Sequence, residues 1–229
     1  MDPEKISVII PAFNAESSIG EVVHRTQEIL PRVIVVNDGS SDRTDEVART
    51  QGAELISLPA NRGKGYALRR GFSRALSNGC SAILTLDADG QHDPADIPRF
   101  LEAHEHDSHA ILIGSRMAEA EKFPRQRYYS NRVASFFISQ ALDKYLDDTQ
   151  CGFRLYPAGA LRSIALTTSH FQTETEILLR ANRQGIRLSS VQIKNIYYFN
   201  GNAPRSNFRP VVDTFYICMV VLQRYLRIL

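Results

Sequence analysis

Ala82-Ile83-Leu84-Thr85-Leu86-Asp87-Ala88-Asp89-Gly90-Gln91-His92-Asp93-Pro94 joins an apolar run of strand length to two carboxylates spaced two apart. A glycine, two polar side chains and a helix-opening Asp-Pro follow. A buried strand that stops on Asp87-Ala88-Asp89 is a place built to hold a cation. At a strand end, residues two apart point the same way, so both carboxylates face one ion. A hard cation such as Mg2+ takes a few carboxylates plus phosphate oxygens in preference to a full protein cage. Gln91 and His92 offer one further ligand or donor, although His92 by itself reads as a hydrogen-bonding loop histidine. The stretch is not an EF-hand, because the later ligands and the glycine at the sixth position are missing.

Outward from this stretch, apolar runs alternate with helical patterns. Ile6-Ser7-Val8-Ile9-Ile10 predicts a buried strand stopped by Pro11. The next segment predicts a helix from about Ser17 to Leu30, with Ile19, Val22, Val23, Thr26 and Ile29 on one face and Ser17 or Ser18 as its cap. Val33 to Val36 is the second strand, ending at Asn37-Asp38-Gly39-Ser40-Ser41-Asp42, where Asp42 or Ser41 caps a helix reaching Gln51. Glu54 to Leu58 is a third strand, Gly65 to Asn78 a third helix, Ala82 to Leu86 the fourth strand, and Ala110 to Gly114 another. Repeated strand-helix units with nearly all-apolar strands predict an α/β domain whose parallel sheet is covered on both faces.

Ligands of such sheets collect at the carboxyl ends of the strands. That rule makes neighbours of Pro11 to Glu16, Asn37 to Asp42 and Asp87 to Asp93. Each alone matches ordinary turn chemistry; three polar strand ends converging on one crevice point to a site. Asn61-Arg62-Gly63-Lys64-Gly65 lacks the Ser or Thr that a Walker loop needs after Gly-Lys, since Tyr66 follows. It therefore predicts an anion-binding helix N-terminus and excludes a nucleoside triphosphatase.

The 229 residues, 43% hydrophobic and 23% charged, suit one domain without linkers or repeats. We expect it over 1–210, followed over 211–229 by an amphipathic helix with Val212, Phe215, Met219, Leu222, Leu226 and Leu229 on one face. Three cysteines, Cys80, Cys151 and Cys218, are odd in number and widely spaced, which fits a reducing compartment. No secretory signal opens the sequence, and Phe215 to Leu222 falls well short of the ~20 residues needed to cross a bilayer. A cytoplasmic chain is expected. A net charge of +2 argues against a general nucleic-acid binder. The 22 arginines against 5 lysines fit either bidentate phosphate recognition or a high-GC codon bias.

Pro11-Ala12-Phe13-Asn14, Val36-Asn37-Asp38-Gly39-Ser40-Ser41-Asp42, Asn61-Arg62-Gly63-Lys64-Gly65 and Leu86-Asp87-Ala88-Asp89-Gly90-Gln91-His92 resemble, in this order, the successive signatures of the family 2 glycosyltransferases. Within that family the chain is similar to the polyprenyl-phosphate (dolichyl-phosphate) mannose or glucose synthases, and the likeness runs from about Ile6 to Arg209. The resemblance implies the GT-A fold, a Rossmann-like three-layer sandwich with a mostly parallel central sheet. It implies a nucleotide diphosphate sugar donor, GDP-mannose or a UDP-hexose, held by Pro11, Ala12, Asn14, Glu16, Asp38, Lys64, Asp87 and Ala88. Mg2+ or Mn2+ would sit on Asp87, Asp89 and Gln91, with Asp89 also in the catalytic set. Two departures stand out: Ala15 intervenes before Glu16, where the branch often places Glu directly after Asn, and Gly90 stands where it often has Leu.

The same resemblance implies a lipid-linked phosphate, a polyprenyl phosphate, as acceptor. Arg116 in Gly114-Ser115-Arg116, together with Arg132 and Ser135, would meet its phosphate. Arg205 and Arg209, in a lid with Gly201, Asn202 and Pro204, would close on the donor diphosphate. Asp148-Thr149-Gln150-Cys151-Gly152-Phe153-Arg154 would line the sugar side, with Glu174 or Glu176 nearby. Phe123 to Leu146 carries Tyr128, Tyr129, Val133, Phe136, Phe137, Leu142 and Tyr145 at largely helical spacing after Arg125 and Arg127. Core packing and an interfacial helix on an anionic membrane both fit this pattern. The expected place of work is the inner face of the cell membrane, through peripheral contact. A hydroxyl acceptor remains the rival, with Glu174, Glu176 or Asp148 as base; a non-catalytic binding module is the other.

Overall fold

The computed structural model describes residues 2–122, 125–194, 196 and 210–225. The elements alternate through the first half: β1 (Ile6–Ala12), α1 (Ile19–Gln27), β2 (Val33–Asn37), α2 (Thr44–Thr50), β3 (Glu54–Ser57), α3 (Lys64–Ser77), β4 (Ala82–Thr85), α4 (Ile97–His106) and β5 (Ile111–Ser115). The second half adds α5 (Arg125–Leu142), β6 (Arg154–Pro157), α6 (Ala158–Ser163), α7 (Gln172–Arg183), β7 (Leu188–Gln192) and α8 (Pro210–Tyr225). The C-terminal helix thus starts one residue before the expected boundary.

The seven strands lie in the order β3-β2-β1-β4-β6-β5-β7. Six run in one direction and β6 runs against them, paired antiparallel to β4 and β5. Alternation along β1 sends Ile6, Val8 and Ile10 into one core and Ile9 into the other. α1, α2 and α4 cover the first face with Ile19, Val23, Ala48, Ile97 and Phe100. α3, α5, α7 and α8 cover the second with Leu68, Phe72, Ile138, Ile177 and Ile217. This is the expected three-layer α/β sandwich. α3 packs close on β1 because Gly71 has no side chain: a Cβ there would stand 2.6 Å from Ile9 Cγ2.

β6 and β7 are new relative to the sequence reading, and β6 matters for the site. Because it is reversed, its amino end lies on the edge where the parallel strands finish. Residues 148–153 are thereby delivered to the crevice instead of the opposite rim. A second correction concerns α1. Ser18 holds the N-cap position without capping, and its hydroxyl donates to the Ala88 carbonyl at 2.7 Å.

Candidate active site

The first two strand ends are stitched together by polar side chains on backbone groups. Asn14, at φ 51°, occupies the left-handed region that asparagine tolerates best after glycine. Its Oδ1 accepts the Ser41 N–H at 2.9 Å, and its own N–H donates to Ser40 Oγ at 2.8 Å. Ala15, the residue that departs from the family pattern, donates its N–H to Thr44 Oγ1 at 2.8 Å. Glu16 accepts the Arg43 N–H at 3.1 Å and lies on the start of α2. Pro11 and Ala12 end β1, and the Ala12 carbonyl accepts the Asp38 N–H at 2.8 Å.

Asp38 does more than make a turn. Its two oxygens accept the N–H groups of Arg62 and Gly63 at 2.8 and 2.7 Å, which seats the loop before α3. Burial pushes its carboxyl above the usual range, against these two bonds. Gly39, at φ 71°, lets that loop close in: a Cβ would lie 2.5 Å from the Ala60 carbonyl carbon. The helix so placed begins with Lys64. Cβ atoms on Gly63 and Gly65 would overlap the side chains of His170 and Thr173, so α3 is fixed against the entry to α7.

Lys64 Nζ lies 2.6 Å from Asp87 Oδ1 and 3.0 Å from Glu174 Oε2. Burial tends to raise the Asp87 carboxyl, but the Lys64 ammonium more than reverses it and holds it at about 2. β4 stops at Thr85, so Asp87 and Asp89 share a turn with Gly90 at φ 76°. Strand pleating is therefore not what brings them together, as the sequence reading assumed. Asp89 Oδ1 accepts the Gln91 N–H at 3.0 Å, and the Gln91 carboxamide donates to its other oxygen. Burial and the Asp87 charge push the Asp89 carboxyl upward. Two half-buried carboxylates, one of them met by Lys64, with an amide beside them are hard oxygen donors, a set that fits Mg2+ or Mn2+. No cluster of three or more His, Cys, Asp or Glu side chains occurs among the described residues, so phosphate or water oxygens would complete the shell.

His92 is not part of that donor set. Its Nδ1 accepts the Asp87 N–H at 3.3 Å, and its Nε2 faces Cys151 Sγ at 3.6 Å. Burial lowers the imidazole to about 4, so at neutral pH it is an uncharged brace for the turn.

The reversed strand supplies the opposite wall. Arg116 and Asp148 form a buried bidentate pair, Nε to Oδ2 at 2.8 Å and Nη2 to Oδ1 at 3.1 Å. Arg154, fully buried, donates to the carbonyls of Cys151, Glu174 and Thr149 at 2.7, 2.9 and 2.8 Å. It clamps the 148–153 segment to the first turn of α7. Gly152 fits between: a Cβ would come 2.6 Å from Asp87 Oδ2 and 2.7 Å from Lys64 Nζ. Glu176 is a structural anchor, its oxygens taken by the N–H and hydroxyl groups of Thr167 and Thr168 and by Arg180. Glu174 gives Oε2 to Lys64, while Oε1 has no hydrogen-bond partner among the described residues.

Ser135 and Arg132 lie on α5. Ser135 is buried and accepts the Thr149 N–H at 2.9 Å; Arg132 is exposed and donates to Tyr145 Oη at 3.3 Å. Arg205 and Arg209, with the rest of the expected lid, lie outside the described residues. What the sequence reading missed is the Lys64 bridge from Asp87 to Glu174 and the place of Gly152. The only local signal was the Gly-Phe-Arg triplet after Asp148.

The model of the family described as Glycosyl transferase family 2 matches residues 7–165. The UDP-N-acetylglucosamine–dolichyl-phosphate N-acetylglucosaminyltransferase of Methanococcus voltae is 30% identical over 86% of this chain and 88% of its own. The undecaprenyl-phosphate mannosyltransferase of Micrococcus luteus is 30% identical over 82% of each. Among solved structures, glucosyl-3-phosphoglycerate synthase from Mycobacterium tuberculosis, in complex with Mn2+, uridine diphosphate and phosphoglyceric acid, superposes with a TM-score of 0.74. That match has 20% identity and covers 98% of this chain and 78% of that one, a likeness of fold. With a carboxylate-lined crevice at the carboxyl edge of a seven-stranded sheet, and a family match over most of its length, the chain belongs to glycosyl transferase family 2 and is a glycosyltransferase.

Proposed function

We propose that this glycosyltransferase moves a sugar from a nucleotide diphosphate sugar, GDP-mannose or a UDP-hexose, to a polyprenyl phosphate, inverting the anomeric centre. The observation that carries this reading is the state of the crevice carboxylates. A hydroxyl acceptor needs a free base, yet Asp148 is taken by Arg116, Glu176 by two threonines and Arg180, and Glu174 sits between two cations, with Oε2 on Lys64 and Oε1, which has no hydrogen bond among the described residues, 3.9 Å from Arg154 Nε. A phosphate monoester needs none, because with a second pKa of about 6 it is largely a dianion at pH 7. The polyprenyl-phosphate substrates in the names of the two curated relatives support the same choice.

On this reading Asp87, Asp89 and Gln91 hold Mg2+ or Mn2+, which when bound offsets charge on the departing diphosphate. Asn14, Glu16, Asp38 and the ends of β1 and β2 shape the nucleotide pocket. Arg116 lends positive charge to the acceptor side from its fixed place on Asp148; Arg132 and Ser135 flank the entry from α5, and Arg205 and Arg209 meet the diphosphate. Alignment of the acceptor oxygen with the anomeric carbon, with charge placed in advance, supplies the catalysis. Peripheral contact with the inner face of the cell membrane runs through α5 and α8, whose Tyr129, Val133, Phe136, Phe137, Phe215, Met219 and Leu222 are exposed. Among the described residues no helix is long and apolar enough to cross a membrane.

The test is an assay of the purified chain with labelled UDP- and GDP-sugars, polyprenyl phosphate and Mn2+. A lipid-extractable product that mild acid cleaves is expected. An acid-stable glycoside would move the assignment to a hydroxyl acceptor, and absence of turnover with every donor would revive a binding module.

A further inference from the structure

The side chain of Lys64 is only 14% exposed, and its ammonium is the nearest cation to Asp87 among the described residues, 2.6 Å from its Oδ1. The backbone around it is fixed, since Gly65 abuts Thr173 and Gly152 abuts both Asp87 and Nζ. Only the tip of the side chain has room to change partner, and Glu174 Oε2 at 3.0 Å is already the second one. The tip touches Asp87 and Glu174 and acts on the charge of Asp89, and the pocket holds a fourth carboxylate, Asp148, on Arg116. Three cations face them, Lys64, Arg116 and Arg154, the last 3.9 Å from Glu174 Oε1. The pocket is thus short of positive charge, and one divalent ion turns that shortage into an excess suited to a diphosphate.

We propose that Lys64 is the resident counter-cation of this pocket. It holds Asp87 in the metal-free protein, gives Asp87 up when a divalent ion is taken in, and then keeps Glu174 and the donor diphosphate as partners. This rests on the donor-site reading above and goes beyond it by making metal and nucleotide mutually dependent. Without nucleotide the ion competes with an ammonium for the same oxygen; with nucleotide the displaced ammonium has a phosphate to meet. Such coupling is reciprocal, so each ligand tightens the other by one factor.

The experiment is calorimetric titration of Mn2+ into the full chain, alone and with saturating UDP or GDP, for the wild type, Lys64→Met and Glu174→Gln. Lys64→Met is expected to bind Mn2+ alone more tightly, by roughly 5- to 150-fold, the usual span of such coupling, and to lose most of the gain from nucleotide. Glu174→Gln, which leaves Lys64 only Asp87, is expected to bind Mn2+ alone more weakly. A packing role for Lys64 predicts instead that both substitutions weaken binding or leave it unchanged. Lys64→Gln, which keeps length and hydrogen bonding without charge, serves if the Met variant does not fold. Mn2+ binding to the uncharged variant no tighter than to wild type overturns the inference while sparing the metal site. Absence of Mn2+ binding to all forms, with either nucleotide, overturns the metal site as well.

Discussion

The two walls of the crevice are held by different means. The wall we assign to the donor, from the ends of β1, β2 and β4, is fixed by side chains on backbone N–H and carbonyl groups: Asn14 on Ser41, Asp38 on Arg62 and Gly63, Ser18 on Ala88. The wall we assign to the acceptor, from β5, β6 and α5, is fixed by buried charge, with Arg116 on Asp148 and Arg154 on three carbonyls, and its outer side carries bare aromatic side chains. A polar, rigid donor can be met by a cradle formed in advance. The proposed acceptor, with a charged head and a long apolar tail, would suit a wall that is polar inside and apolar outside.

The largest expected effect is at the donor wall. Asp89→Ala should lower transfer by about 10²- to 10³-fold, the scale for losing a principal electrostatic stabiliser. Its melting temperature should stay near that of the wild type, because the substitution relieves the like-charge repulsion from Asp87. Substantial transfer by this variant would refute the metal role.

The acceptor wall should answer in stability first. Arg116→Ala strands the buried Asp148 and should cost about 3–5 kcal/mol, a fall in Tm of roughly 6–20 °C. Glu16→Ala on the donor rim, which removes a bond at the exposed start of α2, should cost about 1 kcal/mol or less. Urea unfolding of the two side by side makes the comparison; equal costs would erase the proposed difference between the walls.

That difference also decides what was legible in the sequence. Each donor-side signal is local: a strand, then a polar turn, with Asp38-Gly39 or Asp87-Ala88-Asp89 as a readable punctuation mark. Arg154-Leu155-Tyr156-Pro157 gives no such mark, being four residues long and buried throughout, and its reversed direction is set by pairing with β4 and β5. The partners of Arg116, Lys64 and Arg154 lie 32, 110 and 20 residues away or are backbone carbonyls, so their roles depend on a topology that spacing alone does not carry. The family resemblance named Arg116 for the acceptor without revealing that Asp148 holds it.

His92 tests the rigidity of the donor wall through pH. Burial lowers its imidazole to about 4 from 6.5, so between those values the unfolded chain binds more protons than the folded one. Stability from this group is complete above pH 6.5 and is lost as pH falls through 4. The gap corresponds to on the order of 3 kcal/mol. Asp87, held at about 2 against an ordinary 3.8, adds a loss of the same sign only below pH 3.8. His92→Gln should therefore flatten the decline of Tm between pH 6.5 and 4 relative to wild type, and an unchanged slope would mean the imidazole is not the buried neutral brace of the turn.

The smallest effect expected on function is at the outer side of α5. Phe136 and Phe137 are each 58% exposed, whereas Ser135, Ile138 and Ser139 on the same helix are buried. Replacing both phenylalanines by glutamate leaves the core intact and places two charges where lipid contact is proposed. Co-sedimentation with anionic vesicles should fall about tenfold, equivalent to ~1.4 kcal/mol, while calorimetric binding of UDP or GDP stays unchanged. Ser135 bonds Thr149, and Asp148 beside it holds Arg116, so the outer side of α5 and the acceptor wall are one mechanical unit. The double variant should accordingly raise the apparent KM for polyprenyl phosphate and spare that for the donor sugar. A monomer-to-dimer change on gel filtration in place of lost vesicle binding would reassign this face to contact between copies of the chain.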